Sequence, residues 1–279
     1  MQRRSLSMKI WYYLAPLAVR YVIAYVVEFI IIGVYMMKEF SGVFEHLETQ
    51  EQMYEQLEVV LEAILPYTTQ IGAVTAIITI PVLVRMMKKD DIGTEAKAFS
   101  IGKQICAIVM SIAVAIGLNN ILLLANIAEY SQSYQESAEL LYNPSLPVQL
   151  ICLGVIYPIM EEVLFRGLLF QRIRKNSSAF VAVISSALFF GVYHGNSVQM
   201  IYGTLCGVLL AYLCEKSGSI KVPIMGHIAM NTTAVILTEL DAFTWMFAVP
   251  VRMVIVTILC AAVGSSMLVI LRKYENYTN

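Results

Sequence analysis

Three short groups of residues in this chain have the types and spacing to do acid–base chemistry at a carbonyl. The first is Met160-Glu161-Glu162-Val163-Leu164-Phe165-Arg166-Gly167, which sets two adjacent carboxylates in an otherwise apolar run. Glu162 and Arg166 are four apart, so on a helix they share a face and can pair. Glu161 then points about 100° away and is left without that partner. One paired and one unpaired carboxylate suit a structural clip beside a general base; the plainer alternative is that both pair with arginines between helices. The second group is Phe190-Gly191-Val192-Tyr193-His194, which holds one of only three histidines. A lone histidine on an apolar helix is by default a satisfied core residue. The third is His227-Ile228-Ala229-Met230-Asn231. His227 and Asn231 share one helix face and can donate two hydrogen bonds toward one point, as a developing oxyanion requires. They can equally tie one helix to another.

The elements that must position these groups are membrane helices. Of 279 residues, 58% are hydrophobic and 14% charged, against roughly 25% charged in an ordinary soluble domain. Apolar runs of spanning length recur along the chain. In lipid such runs must satisfy their own backbone, and the ten-residue alternation of a membrane barrel is absent, so they are helices. The expected fold is all-α: a polytopic bundle of about eight spans, at 11–36, 67–87, 104–127, 148–171, 179–195, 197–214, 220–239 and 244–271, with spans four to seven as the catalytic core. Residues 1–146 form an N-terminal membrane part, 147–239 the core, and 240–279 a last span with a short tail. The segment 38–66, rich in glutamates from Glu45 to Glu62 and holding His46, reads as an acidic amphipathic helix on the membrane surface. Residues 128–146 are polar, end at Pro144 or Pro147, and read as a loop.

The distribution of Lys and Arg sets the topology. With the N-terminus in the cytoplasm, every Lys and Arg except Lys38, Arg20 and Arg252 falls on the cytoplasmic side. That bias supports a multi-pass protein of the cell membrane with both termini inside. The first apolar run is too long for a signal peptide, carries Arg20 and Glu28, and reads as a retained helix. The remaining polar residues in spans (Arg20, Glu28, Arg252, Asn119 and Asn120) read as ties between helices, with Arg20 paired to Glu28 or to another helix. The five cysteines lack paired spacing and read as packing residues. No basic stripe with interleaved aromatics is present, so nucleic acid is not an expected partner.

Charged and polar groups inside spans are costly and mark function by default. Taken together, Glu-Glu-x-x-x-Arg, Phe-x-x-x-His and His-x-x-x-Asn on spans four, five and seven resemble the CPBP family of CAAX prenyl protease-like and bacteriocin-processing membrane proteases, also called Abi. The resemblance covers roughly residues 147–239, and Glu161, Glu162, Arg166, Phe190, His194, His227 and Asn231 all match. It implies an intramembrane endopeptidase in which Glu161 and His194 hold and activate the attacking water. By the same resemblance His227 and Asn231 form the oxyanion hole, with Glu162, Arg166 and Phe190 supporting the site. The expected partners are the lipid bilayer and a membrane-associated or lipidated peptide or protein substrate. Glu161, His194 and His227 are also candidate ligands for a divalent metal such as zinc. No HExxH helix is present, so that set would come from different helices. The rival readings are a transporter or immunity-type binding protein using the same polar cluster without proteolysis, and a catalytically idle membrane scaffold.

Depth tests the convergence. At roughly 1.5 Å per residue, Glu161 lies about 16 Å, Asn231 about 15 Å and His227 about 9 Å from the cytoplasmic ends of their spans. His194 lies at about 20 Å or more on an upright span five. That span must therefore be tilted or broken, at Gly191 or Gly195, for His194 to join the others.

Overall fold

The computed structural model describes residues 6–39, 49–92, 99–125 and 131–276. The described residues contain no strand. Among the described residues, eleven helical elements carry the fold: α1 (Leu6–Glu39), α2 (Gln50–Ile64), α3 (Thr68–Lys89), α4 (Ile101–Leu124), α5 (Gln132–Tyr142), α6 (Leu146–Arg174), α7 (Ala179–Tyr193), α8 (Ser197–Ser217), α9 (Lys221–Glu239), α10 (Ala242–Phe247) and α11 (Pro250–Asn276). A polytopic all-α bundle is what the apolar runs required.

Local signals start and stop the helices that frame the site. Ser178 accepts from the Val181 amide to begin α7, and Asn196 accepts from the Gln199 amide to begin α8. Each side-chain oxygen satisfies a backbone donor that a helix start leaves over. At the other end of α8, Gly218 takes the left-handed conformation at φ 64° and closes the helix. The connections 175–178, 194–196 and 218–220 are correspondingly short, so α6 to α9 fold back on one another as neighbours.

Helix α6 is the centre of the bundle. Of its most apolar 18-residue window 61% is buried, against 6% for α1 and 11% for α11, which leave most of their surface to the lipid. Met160, Val163, Leu164, Phe165, Leu168 and Leu169 of α6 form one core with Ala76, Leu83 and Met87 of α3 and Phe190 of α7. Helix α6 is not regular. It passes through wider π-type turns at Cys152–Ile156 and Val163–Phe170, on either side of the Glu161–Glu162 pair. Such turns re-aim the side chains that follow them and recur at functional sites.

Several sequence expectations change. Among the described residues, eight long helices correspond to the eight expected spans, but six are long and apolar enough to cross a membrane. Helix α7 is apolar but shorter, at 15 residues, and α9 falls outside the six. Its 19 residues include Lys221, His227, Asn231, Thr232, Thr233 and Glu239, which lower its hydropathy. The region 128–146, read as a loop, holds the helix α5, which its polarity concealed. Part of the segment expected to form a surface helix is helical, over Gln50–Ile64, opened by a reciprocal cap in which Thr49 and Gln52 bond each other's amides. It runs through a single tight turn at Leu65–Tyr67 into α3 rather than ending at a loop. Residues 40–48, with Glu45, His46 and Glu48, lie outside the described residues. The last expected span is divided: α10 ends before Pro250, which opens α11.

Candidate active site

The two glutamates of α6 take different environments, as their spacing requires. Glu162 is fully buried, and its Oε1 accepts from Arg166 Nη1 at 2.8 Å and from His227 Nδ1 at 2.9 Å. Arg166, equally buried, donates through Nη2 to the Gly207 carbonyl of α8 at 2.9 Å and lies over the Phe190 ring at 4.5 Å. One carboxylate thus ties α6 to α9, and its guanidinium partner ties α6 to α7 and α8. Glu161 turns the other way. Its Oε2 stands 3.7 Å from His227 Nε2, so the imidazole of His227 lies between the two carboxylates.

The histidine on α7 is held by its own helix end. Helix α7 stops at Tyr193, and Gly195 follows at φ +79°, a conformation that a side chain makes strained. His194 is therefore the residue at the break. Its Nδ1 lies 2.7 Å from the Phe190 carbonyl oxygen. A carbonyl cannot donate, so Nδ1 carries a proton, and the neutral form of the ring has its lone pair on Nε2. Gly195, one of the two candidate break points, follows His194 and ends α7, so it leaves the height of His194 along that helix unchanged. The other candidate, Gly191, lies inside α7 and serves packing instead. A Cβ there would stand 2.1 Å from Thr204 Oγ1 and 2.5 Å from the Met200 carbonyl, so glycine is what lets α7 lie against α8.

Asn231, one turn beyond His227 on α9, donates one Nδ2 hydrogen to the Leu153 carbonyl at 3.0 Å. Leu153 lies in the first wide turn of α6. An amide nitrogen carries two hydrogens, so this bond fixes Asn231 and leaves one donor.

Glu161, His194, His227 and Asn231 all line one cavity of about 420 Å³. Phe190 forms part of its wall and packs edge-on against both imidazoles, at 4.8 Å from His194 and 5.5 Å from His227. Glu162 and Arg166 do not reach the cavity; they stand behind it. The structure therefore brings together every candidate residue, in two layers. As placed, they do not make a metal cage: among the described residues no three His, Cys, Asp or Glu side chains are grouped to hold an ion. His227 directs one nitrogen to each glutamate, and His194 spends Nδ1 on the backbone.

Sequence reasoning passed over several wall residues, among them Tyr157, Tyr193, Tyr134 and Tyr142. Tyr157 precedes Glu161 by four and Tyr193 adjoins His194, so helical spacing was an available signal. Tyr134 and Tyr142 belong to the helix that polarity concealed. Burial pushes the Tyr142 phenol up to about 12, helped by Tyr134 and opposed by a hydrogen bond with Thr238. It is a neutral hydroxyl at any physiological pH. Arg20 is tied to another helix, as expected, by a hydrogen bond with Tyr193 of α7. It lines the cavity, and its Nε and Nη1 have no hydrogen-bond partner. Arg252 caps the neighbouring α10 instead, donating to the Trp245 carbonyl at 3.2 Å and lying over the Trp245 ring. Asn120 is a buried tie whose Nδ2 reaches Met246 Sδ at 3.8 Å, whereas Asn119 lines the cavity.

The fold and site define a multi-pass helical membrane protein with a buried carboxylate, imidazole and amide cluster around one cavity. Residues 143–233 match the family described as Type II CAAX prenyl endopeptidase Rce1-like, and all seven motif residues fall inside that stretch. The resemblance to the CPBP family is thereby shown over this segment. The Bacillus subtilis (strain 168) protein named "Putative membrane peptidase YdiL" is 31% identical over 93 residues, covering 33% of this chain and 38% of that protein. The match thus spans under two-fifths of that relative's length. No solved structure matches the chain.

Proposed function

We propose that this protein is an intramembrane endopeptidase that hydrolyses a peptide bond with a water molecule activated in the α6–α7–α9 cavity. The observation that carries the proposal is the meeting of Glu161, His194, His227 and Asn231, from three helices, on one buried cavity. The family match and the name of the Bacillus relative support the same activity.

In this reading Glu161 is the general base. Its carboxylate faces the cavity, and its neighbour Glu162 holds the buried guanidinium, so Glu161 is the one left to take a proton. The His194 Nε2 lone pair accepts a hydrogen of the same water and aims its oxygen at the scissile carbonyl. As the carbon–oxygen bond forms, negative charge collects on the carbonyl oxygen. The free Asn231 N–H and the Nε2–H of a protonated His227 meet it there. Glu162 supplies the charge that supports that imidazolium through Nδ1. Glu161 then returns its proton to the amide nitrogen, the carbon–nitrogen bond breaks, and an acid and an amine leave. The donors present do not group as metal ligands, and no step is assigned to a metal.

The substrate class is a membrane-associated or lipidated peptide or protein. The charge bias of the sequence places both termini in the cytoplasm. The test is purified protein in liposomes with a library of membrane-inserting peptides, read by mass spectrometry. New termini that disappear in Glu161→Gln, with the helical fold intact, support the proposal. Peptide flux across the vesicle wall without any cleavage would replace it with a carrier.

A further inference from the structure

Arg20 is the cavity residue that this mechanism leaves unused, and it is a costly one. It sits in the middle of α1, a helix that otherwise faces lipid, and it reaches the cavity that Glu161 lines. No carboxylate among the described residues pairs with it: Glu28 of the same helix does not, and Glu161 does not. Its Nε and Nη1 are shut off from solvent without a hydrogen-bond partner. Among the described residues its one hydrogen bond is with the Tyr193 phenol, which carries no charge to balance it, and the phenols of Tyr157 and Tyr193 interact with both Arg20 and Glu161. An uncompensated guanidinium inside a membrane protein is expensive, and it is kept where an anion joins it. Guanidinium is also the side chain best shaped to grip a carboxylate with two parallel bonds.

We infer that Arg20 is a specificity-determining residue, which binds a carboxylate of the peptide substrate while the scissile bond lies at Glu161. This inference rests on the protease reading and deepens it. The carboxylate has two sources in a peptide: the free C-terminus, or an Asp or Glu side chain close to the cleaved bond. Residue 20 lies well outside the 143–233 stretch that carries the family match, so the catalytic groups and this selecting group come from separate parts of the chain. Members that share the catalytic motifs but lack a basic residue here would select different substrates.

The experiment uses the full chain in liposomes and three matched peptide libraries: with free C-termini, with amidated C-termini, and amidated with Asp and Glu omitted. Wild-type protein should cleave at least one carboxylate-bearing library on the order of 30-fold better in kcat/KM than the carboxylate-free one, the effect of one charge-assisted contact. The first two libraries compared tell a C-terminal from a side-chain source. Arg20→Gln should abolish that preference, mostly through KM, and leave cleavage of the carboxylate-free library unchanged. Arg20→Lys should restore part of it. A merely structural arginine would lower all three libraries together, which overturns the inference. Equal cleavage of all three by wild type also overturns it, as expected if a lipid phosphate occupies the guanidinium, and leaves the protease reading standing. Cleavage of none by folded wild type overturns both.

Discussion

Replacing Glu162 by Gln keeps the shape of the site and removes one charge, and the structure says what that costs. Glu162 and Arg166 have fully buried side chains at 2.8 Å, so the charge lost is the one that neutralises a guanidinium in the core. Removing one member of such a pair costs roughly 3–5 kcal/mol when nothing replaces it. Here Arg166 keeps the Gly207 carbonyl and the Phe190 ring, and the glutamine oxygen can still accept one bond. The expected loss is therefore at or just below the low end of that range, about 2–3 kcal/mol, read as a lowered midpoint of reversible denaturant unfolding in detergent. Activity falls for a different reason. His227 loses the anion that supports its protonated form, and the oxyanion loses one donor, worth about 10²–10³ in kcat. The double variant Glu162→Gln/Arg166→Met separates the two effects: removing both charges recovers most of the stability and none of the activity. Wild-type stability in Glu162→Gln would refute the buried-pair account. Wild-type cleavage by the double variant would refute the role given to Glu162 behind His227.

Other consequences are as direct. Gly191→Ala should destabilise the protein by several kcal/mol and separate α7 from α8, since the new methyl would stand 2.5 Å from the Met200 carbonyl; unfolding in detergent checks it. Arg172→Met should loosen α1, because Arg172 pairs with Asp90 at 2.7 Å while it lies over the Tyr12 ring and donates to the Tyr12 carbonyl. Limited proteolysis near α1 should rise, with a stability loss of about 2–4 kcal/mol. Cleavage activity should survive exhaustive chelation, because among the described residues no three cavity donors are grouped as ligands for an ion; loss on chelation and return with added zinc would contradict the donor assignment.

Much of the site was legible in the sequence because helix geometry converts spacing into direction. The four-residue step from Glu162 to Arg166 predicted their pairing, and the adjacency of Glu161 predicted its divergence. The depth argument for His194 asked for a tilted or offset helix, with Gly191 or Gly195 as break points; α7 runs unbroken to Tyr193, and Gly195 lies past its end. What periodicity could not show was which partner lies across a gap between helices. That His227 bridges both glutamates depends on how α9 packs against α6, and that Arg20 meets the cavity depends on where α1 lies. Helix α5 was missed because it is polar and short, so the rule that finds helices in lipid had nothing to detect there. The wide turns of α6 were invisible for the same kind of reason: Cys152–Ile156 and Val163–Phe170 are as apolar as a regular helix would be.

The account depends most on Glu161 and His194 serving one water molecule from two helices. Cleavage rates of Glu161→Gln, His194→Ala and the double variant, on one peptide in one liposome preparation, test that directly. Each single change should lower kcat by about 10²–10⁴, and the double variant should fall little below the worse single one, since either loss disables the same step. Losses that multiply would show that the two residues act independently and would contradict the shared water.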